Sequence, residues 1–278
     1  MLKITQNFDW SITKRKLCIF IPNYGKKESL EFSISQIRTR MPKDDWVVII
    51  GNDGIDIDFS HLQSQNVYYF TLHRQSNDSR NGGFIRNYAI KRCQSEFFFQ
   101  KDPEIVLLGD FIGNICTSEE PWRAGNIYVL DEKLSAELML EKNFDILKYS
   151  ACLKMDPVKV LDANYAKCVV LAEDGRVNFS SYFHYAYAVK TEVLFNLRGY
   201  DEQYLYYGYE DSDMFCRLVQ IKQHLVPDYD VTAIHLYHDR DVNLEQLKKM
   251  RLVFANQNPV IFIRNYDYHE IWGEGGNG

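Results

Sequence analysis

Short apolar runs separated by turn residues organise the first part of the chain: Leu17 to Ile21, closed by Pro22; Val47 to Ile50, closed by Gly51-Asn52-Asp53-Gly54; and Val67 to Leu72. Runs of this length predict buried strands. Between the first two, Ser29 to Met41 carries Leu30, Phe32, Ile34 and Ile37, a pattern that fits a helix better than a strand. Phe84 to Cys93 predicts a second helix, and Phe97-Phe98-Phe99 a fourth strand that ends before Asp102-Pro103-Glu104. This alternation predicts an α/β fold with a mostly parallel sheet flanked by helices. Such sheets collect ligands at the carboxyl ends of their strands. Pro22-Asn23-Tyr24, Asn52-Asp53 and Asp102-Pro103-Glu104 all fall there, which predicts one polar cleft.

Beyond about residue 118 the pattern is less regular, with a helix predicted near Lys133 to Glu141 and a strand near Tyr182 to Val189. No internal repeat and no Pro/Ser-rich linker divides the chain. A single catalytic domain over 1–272 is therefore expected, with lobes at about 15–117 and 118–255, an extension at 256–272 and a flexible tail at 273–278.

The densest chemistry lies in Leu197-Arg198-Gly199-Tyr200-Asp201-Glu202 and Tyr207-Gly208-Tyr209-Glu210-Asp211-Ser212-Asp213. Met214, Phe215 and Leu218 follow at helical spacing, so the acids sit where a helix begins. Acids in a first turn commonly do no more than complement the helix dipole. Here two glycines and aromatic residues at 200, 204, 206, 207 and 209 flank them, which marks a pocket edge.

Asp102 and Glu104 alternate around Pro103, so extended backbone would aim both carboxylates to one side, an arrangement suited to a hard divalent cation. His235 and His238 are further candidates; strand spacing would put them on opposite faces, so that one of them reaches the metal. Arg80-Asn81-Gly82-Gly83-Phe84-Ile85-Arg86-Asn87 offers backbone amides and guanidinium groups to phosphate, without the Gly-Lys-Ser/Thr ending of a P-loop. A loop and a solvated helix face would account for the same residues.

Composition narrows the classes. With 46% hydrophobic and 25% charged residues the chain is ordinary globular material, and a net charge of −6 without a Lys/Arg stripe argues against nucleic-acid binding. The cysteines at 18, 93, 116, 152, 168 and 216 form no Cys-x-x-Cys pair and read as reduced, packed thiols. The N-terminus has no long apolar core and no apolar run is long enough to span a bilayer, so a soluble cytoplasmic protein is expected, with peripheral membrane contact left open. No Gly-x-Ser-x-Gly, His-Glu-x-x-His or Gly-x-Gly-x-x-Gly motif supports a hydrolase, zinc protease or dinucleotide enzyme.

Taken in order, Phe20-Ile21-Pro22-Asn23-Tyr24, Ile49-Ile50-Gly51-Asn52-Asp53-Gly54, Gly82-Gly83-Phe84-Ile85-Arg86-Asn87, Asp102-Pro103-Glu104, Arg198-Gly199-Tyr200-Asp201-Glu202, Tyr207-Gly208-Tyr209-Glu210-Asp211 and Tyr237-His238 resemble nucleotide-sugar glycosyltransferases of the GT-A fold. The resemblance spans most of residues 17 to 240. It is closest to the family 2 enzymes and, in the carboxyl half, to the β-1,4-galactosyltransferase group with its Gly-Phe-Asp-Glu and Trp-Gly-x-Glu-Asp motifs.

The resemblance implies a Rossmann-like sheet with a mixed acceptor-side lobe. It implies an inverting, metal-dependent transfer of a hexose or N-acetylhexosamine from a UDP-sugar to a glycan or glycolipid hydroxyl in polysaccharide or surface-glycan synthesis. Asp211 would be the catalytic base, with Glu210 and Tyr209 binding the acceptor. Pro22, Tyr24, Asp53, Arg86 and Asp102 would bind the nucleotide sugar, and Asp102, Glu104 and His238 would hold Mn²⁺ or Mg²⁺. Glu104 stands where the family has its second aspartate. A non-catalytic nucleotide-sugar or glycan-binding protein of the same fold is the alternative.

Overall fold

The structure is a computed structural model and describes residues 3–40, 45–74, 81–108, 111–117, 122–142, 169–171, 177–179, 186–221, 226–239 and 243–257. Arg80, residues 182–185 of the expected strand, all but the first two residues of the 256–272 extension and the 273–278 tail lie outside them.

The strands are β1 (Lys3–Gln6), β2 (Leu17–Asn23), β3 (Trp46–Asp53), β4 (Val67–His73), β5 (Phe97–Lys101), β6 (Ile105–Leu108), β7 (Trp122–Val129), β8 (Val169–Leu171), β9 (Val177–Phe179), β10 (Ala186–Lys190) and β11 (Val226–His235). The helices are α1 (Lys27–Arg40), α2 (Gly82–Arg92), α3 (Phe111–Thr117), α4 (Glu132–Glu141), α5 (Thr191–Asn196), α6 (Glu210–Gln220) and α7 (Leu244–Gln257). Among the described residues a 9-stranded sheet runs β1-β4-β3-β2-β5-β10-β7-β11-β6, and β8 pairs with β9 separately. Its centre, β4-β3-β2-β5, is parallel. Antiparallel β1 closes one side, and β10, β7, β11 and β6 form a mixed extension on the other. The expected α/β architecture with a parallel core is therefore present.

Alternation along the strands explains why both faces are covered. Leu17, Ile19 and Ile21 of β2 pack with Leu30, Ile34 and Ile37 of α1. Cys18 and Phe20 face the other way, toward Ile85 and Ala89 of α2 and Met214 and Leu218 of α6. A strand buried on both faces reads as a continuous apolar run, as this one does.

β2 continues through Pro22 to Asn23, beyond the end expected at the proline. It pairs with β5 only as far as Phe20, while its ladder with β3 reaches Asn23. Pro22 thus lies past the β5 ladder, where one missing N–H is tolerated. The crossover from β2 to β3 runs to one side and β5 lies on the other, so strand order reverses between β2 and β5. In open α/β sheets that reversal opens the ligand crevice. α2 begins earlier than the apolar pattern suggests because Asn81 caps it, accepting from Phe84 N at 2.9 Å.

β5 carries two polar residues that alternation sends to opposite faces. Gln100 faces the α2/α6 side and Lys101 the α1 side, where its Nζ donates to Ser33 Oγ and to Asp102 O, each at 3.0 Å. Burial lowers the Lys101 ammonium pKa to about 7 against the opposing pull of Asp102 and Glu104. The unfolded chain, with a lysine near ~10.4, then binds more protons between these values, so this group makes stability rise with pH across that window and fall as pH drops through 7. Lys101→Met is expected to remove that slope, at most about 1.4 kcal/mol per pH unit. Urea denaturation from pH 6.5 to 9.5 checks it; an unchanged slope in the variant would contradict it.

Candidate functional site

The loop after α5 is locked onto α2 before any chemistry is considered. Arg198 and Gly199 take positive φ (57° and 64°), and Gly199 N bonds Leu194 O at 2.9 Å, closing the helix with a left-handed turn. From α6, buried Arg217 donates to Leu197 O (3.2 Å), Gly199 O (2.6 Å) and Asp213 Oδ2 (2.8 Å). Asp213 also accepts from Tyr204 OH at 3.3 Å. From α2, Asn87 exchanges two bonds with the Tyr200 backbone (2.6 and 2.8 Å), and Asn81 Nδ2 donates to Glu202 O at 2.6 Å. A Cβ on Gly83 would come within 3.1 Å of Asp201 O, so the second glycine permits this approach.

The next loop delivers the acids. Gly208 and Tyr209 have φ of 107° and 72°, and Glu210 Oε2 accepts from Gly208 N at 2.9 Å as α6 begins. α7 lies against this loop: the Tyr209 and Phe254 ring centroids are 5.5 Å apart, and a Cβ on Gly208 would meet Leu247 Cδ1 at 2.6 Å. Gly208→Ala combines backbone strain with overpacking and is expected to cost about 1–3 kcal/mol, read from the urea midpoint.

Arg86 stands at the centre, 5% exposed. Its Nη1 is 3.5 Å from Glu210 Oε1 and its Nη2 3.7 Å from Asp211 Oδ2, and its guanidinium lies 5.3 Å from the Tyr200 ring centroid. Burial opposes its charge, but Asp211, Tyr200, Glu210 and Tyr24 together hold it protonated. Arg86 Nε and Nη1 are buried without a hydrogen-bond partner among the described residues. Burial, and then the Asp211 charge, push the Glu210 carboxyl up to about 7, with Arg86 acting in the opposite sense. Glu210 thus lies against Arg86 and Gly208, whereas Asp211 keeps a side chain 16% exposed.

The Asp102-Pro103-Glu104 turn closes with Ile105 N donating to Asp102 O at 3.1 Å. Burial drives the Asp102 carboxyl well above its usual range; Arg86 opposes this, and the charges of Glu104 and Asp211 add to it. Glu104 Oε1 is 3.9 Å from His238 Nε2. The chain leaves β11 at His235, so the two histidine rings stack, 5.3 Å apart at 27°, instead of facing opposite ways. Among the described residues no three His, Cys, Asp or Glu stand together as a preformed cage. The donor chemistry nevertheless fits a divalent cation: two carboxylates on one turn, with an imidazole beside Glu104.

At the β2 and β3 ends, Asn23 Nδ2 donates to Asn52 Oδ1 at 2.9 Å. Asp53 is 2% exposed and ion-paired with Arg74 through both Nε and Nη2, the latter at 2.8 Å from Oδ2. Arg74 also reaches Asn81 O at 3.5 Å. Half-buried Tyr24, whose phenol burial and then Asp53 push upward, approaches Gly82: a Cβ there would lie 3.3 Å from Tyr24 OH and 3.2 Å from Glu210 Oε1. Pro22 is buried at the strand end.

Asp102, Arg86, Glu210, Asp211 and Tyr24 are therefore gathered electrostatically around one point, with Glu104 and His238 adjoining and Asp53 engaged by Arg74. The sequence reading passed over Gln100, Lys101, Tyr187 and Arg74. The available signal was Gln100-Lys101, a polar pair ending an otherwise aromatic strand.

No protein-family model and no curated protein sequence matches the chain. Solved structures do. A mannosyltransferase, PcManGT from Pyrobaculum calidifontis in complex with GDP-Man and Mn²⁺, aligns at TM-score 0.52 and 13% identity over 83% of this chain and 59% of that one. S. aureus TarS 1–349 in complex with UDP aligns at 0.57 and 11% over 87% and 64%. GalNAc-T7 with UDP, GalNAc and Mn²⁺ aligns at 0.55 and 12% over 93% and 49%. The chain spans less than two thirds of each. At such identities the likeness defines a fold: the chain has the GT-A fold of these glycosyltransferases. Among its described residues no helix is long and apolar enough to cross a membrane.

Proposed function

We propose that the protein is an inverting, metal-dependent glycosyltransferase that moves a hexose or N-acetylhexosamine from a UDP-sugar to a glycan hydroxyl. The observation that carries this reading is the placement of Asp211 beside buried Arg86 at the strand-order reversal, where the Asp102 turn also ends. Solved neighbours of the same fold have UDP or GDP-Man in their complexes, the mannosyltransferase and GalNAc-T7 with Mn²⁺ as well.

Arg86 Nε and Nη1 are donors buried beside Gly82 and supply hydrogen bonds to a diphosphate oxygen. Asp102, Glu104 and His238 would hold Mn²⁺ or Mg²⁺, which when bound neutralises the leaving diphosphate. Tyr24 and Pro22 border the donor side, and Asp53, fixed by Arg74, shapes its base or ribose end. Tyr209 and Glu210 border the acceptor side. Asp211 takes the proton as the acceptor O–H bond breaks; the oxygen forms a bond to the anomeric carbon, and the electron pair of the departing C–O bond leaves on the diphosphate. A single displacement inverts the centre. The role belongs to assembly of polysaccharide or surface glycan in the cytoplasm.

The test is nucleoside diphosphate release from a nucleotide-sugar panel with Mn²⁺ and glycan acceptors. Release that disappears in Asp211→Asn supports transfer. Metal-dependent nucleotide binding by calorimetry without release, with Asp211→Asn indistinguishable, would make the protein a binding module.

A further inference from the structure

Gln100 is fully buried at the end of β5 and directly opposite Tyr187 of β10 in the antiparallel ladder. Residues so paired project to the same face and touch. Gln100 Oε1 accepts from Tyr200 OH at 2.6 Å and lies 3.2 Å from Tyr187 OH. Its Nε2 donates to Asp211 Oδ1 at 3.4 Å, and Tyr187 OH is also 3.4 Å from that oxygen.

The two phenols decide which way the amide points. A phenol donates one proton, and Tyr200 gives its proton to Gln100 at the shortest distance in the group. A flipped amide would present its oxygen to the Asp211 carboxylate and surrender the Tyr200 bond, an unfavourable exchange in a buried setting. The –NH₂ is thereby held toward Asp211. Oδ1 is the oxygen addressed by Gln100 and Tyr187, while Oδ2 is 3.7 Å from Arg86 Nη2, beyond hydrogen-bond reach.

Resting on the transferase reading, we propose that Gln100, oriented by Tyr200 and Tyr187, is a positioning residue that pins Asp211 by Oδ1 and leaves Oδ2 to take the acceptor proton. It touches neither donor nor acceptor. Its contribution lies in holding the base at an angle that a free carboxylate would sample only part of the time.

Gln100→Met tests this, because it nearly keeps the length of the side chain and removes the amide facing Asp211 without adding a titratable group. The expected result is a kcat about 10- to 100-fold lower with KM for the nucleotide sugar within twofold. Tyr200→Phe, which deletes only the hydroxyl that sets the amide, should lower kcat about 5-fold with the same unchanged KM. A second readout does not depend on turnover: Gln100→Met should lower the urea midpoint in the parent and lower it less than half as much in an Asp211→Ala background, where the contact is already gone. Additive midpoints, or a rise in KM in place of a fall in kcat, would overturn the proposal. Non-additive midpoints in a protein that shows no transfer would uphold the contact and discard the transferase reading.

Discussion

In the proposed transferase, Asp211→Asn is expected to lower kcat about 10²- to 10⁴-fold, the range over which a positioned general base contributes, with nucleotide binding retained. The amide is nearly isosteric with the carboxylate, so Gln100 and Tyr187 keep a partner at the Oδ1 position. What it loses is the capacity to accept a proton from an acceptor hydroxyl. Steady-state kinetics with calorimetry of UDP binding separates the two effects. A variant that loses nucleotide affinity and turnover together would place Asp211 among the binding groups.

Arg86→Met is expected to produce the largest loss of stability, about 3–5 kcal/mol, because removing one partner of a buried ionic group leaves its carboxylates uncompensated. The loss depends on pH, and its sign follows from Glu210. In the parent, burial and Asp211 raise the Glu210 carboxyl to about 7. An unfolded glutamate titrates near ~4.3, so the folded state binds more protons between these values. The contribution of this group to stability is complete below the unfolded value and is lost as pH rises through 7. Arg86 restrains that effect, so Met at this position enlarges it and extends it to higher pH. Urea midpoints should differ between parent and variant more at pH 8 than at pH 6; equal differences would mean that Arg86 acts by packing alone.

The central sheet was readable from the chain because β2 and β3 are buried on both faces and are apolar up to their polar carboxyl ends. α2 was misjudged at its start for a physical reason: its first turn, Gly82-Gly83, lacks apolar side chains and is held by Asn81 and by close approach to Tyr200 and Asp201. The acidic run divided only partly by spacing, since Asp213 and Arg217 meet as an i,i+4 pair on α6 while nothing local marks Asp211 for exposure. Asp213 supports Arg217, while Asp211 remains partly open. Arg86 could be picked out from its motif, but its partners could not, since Glu210 and Asp211 lie more than a hundred residues along the chain and only α2 packing against the loop after α5 unites them. Gln100 and Lys101 resemble the ordinary end of a strand in one dimension; alternation alone sends them to unrelated tasks.

That alternation also guards the assembly of the sheet. A one-residue slip of β5 would exchange Gln100 and Lys101 between faces, setting an ammonium group among Tyr187, Tyr200 and Asp211 and stranding an amide beneath α1. It would simultaneously shift the Asp102 turn out of step with the end of β2. The aromatic residues Phe97, Phe98 and Phe99 would tolerate such a slip, being alike on either face. Fidelity of threading at this strand therefore rests on its last two side chains, because hydrophobic burial alone does not tell the two registers apart.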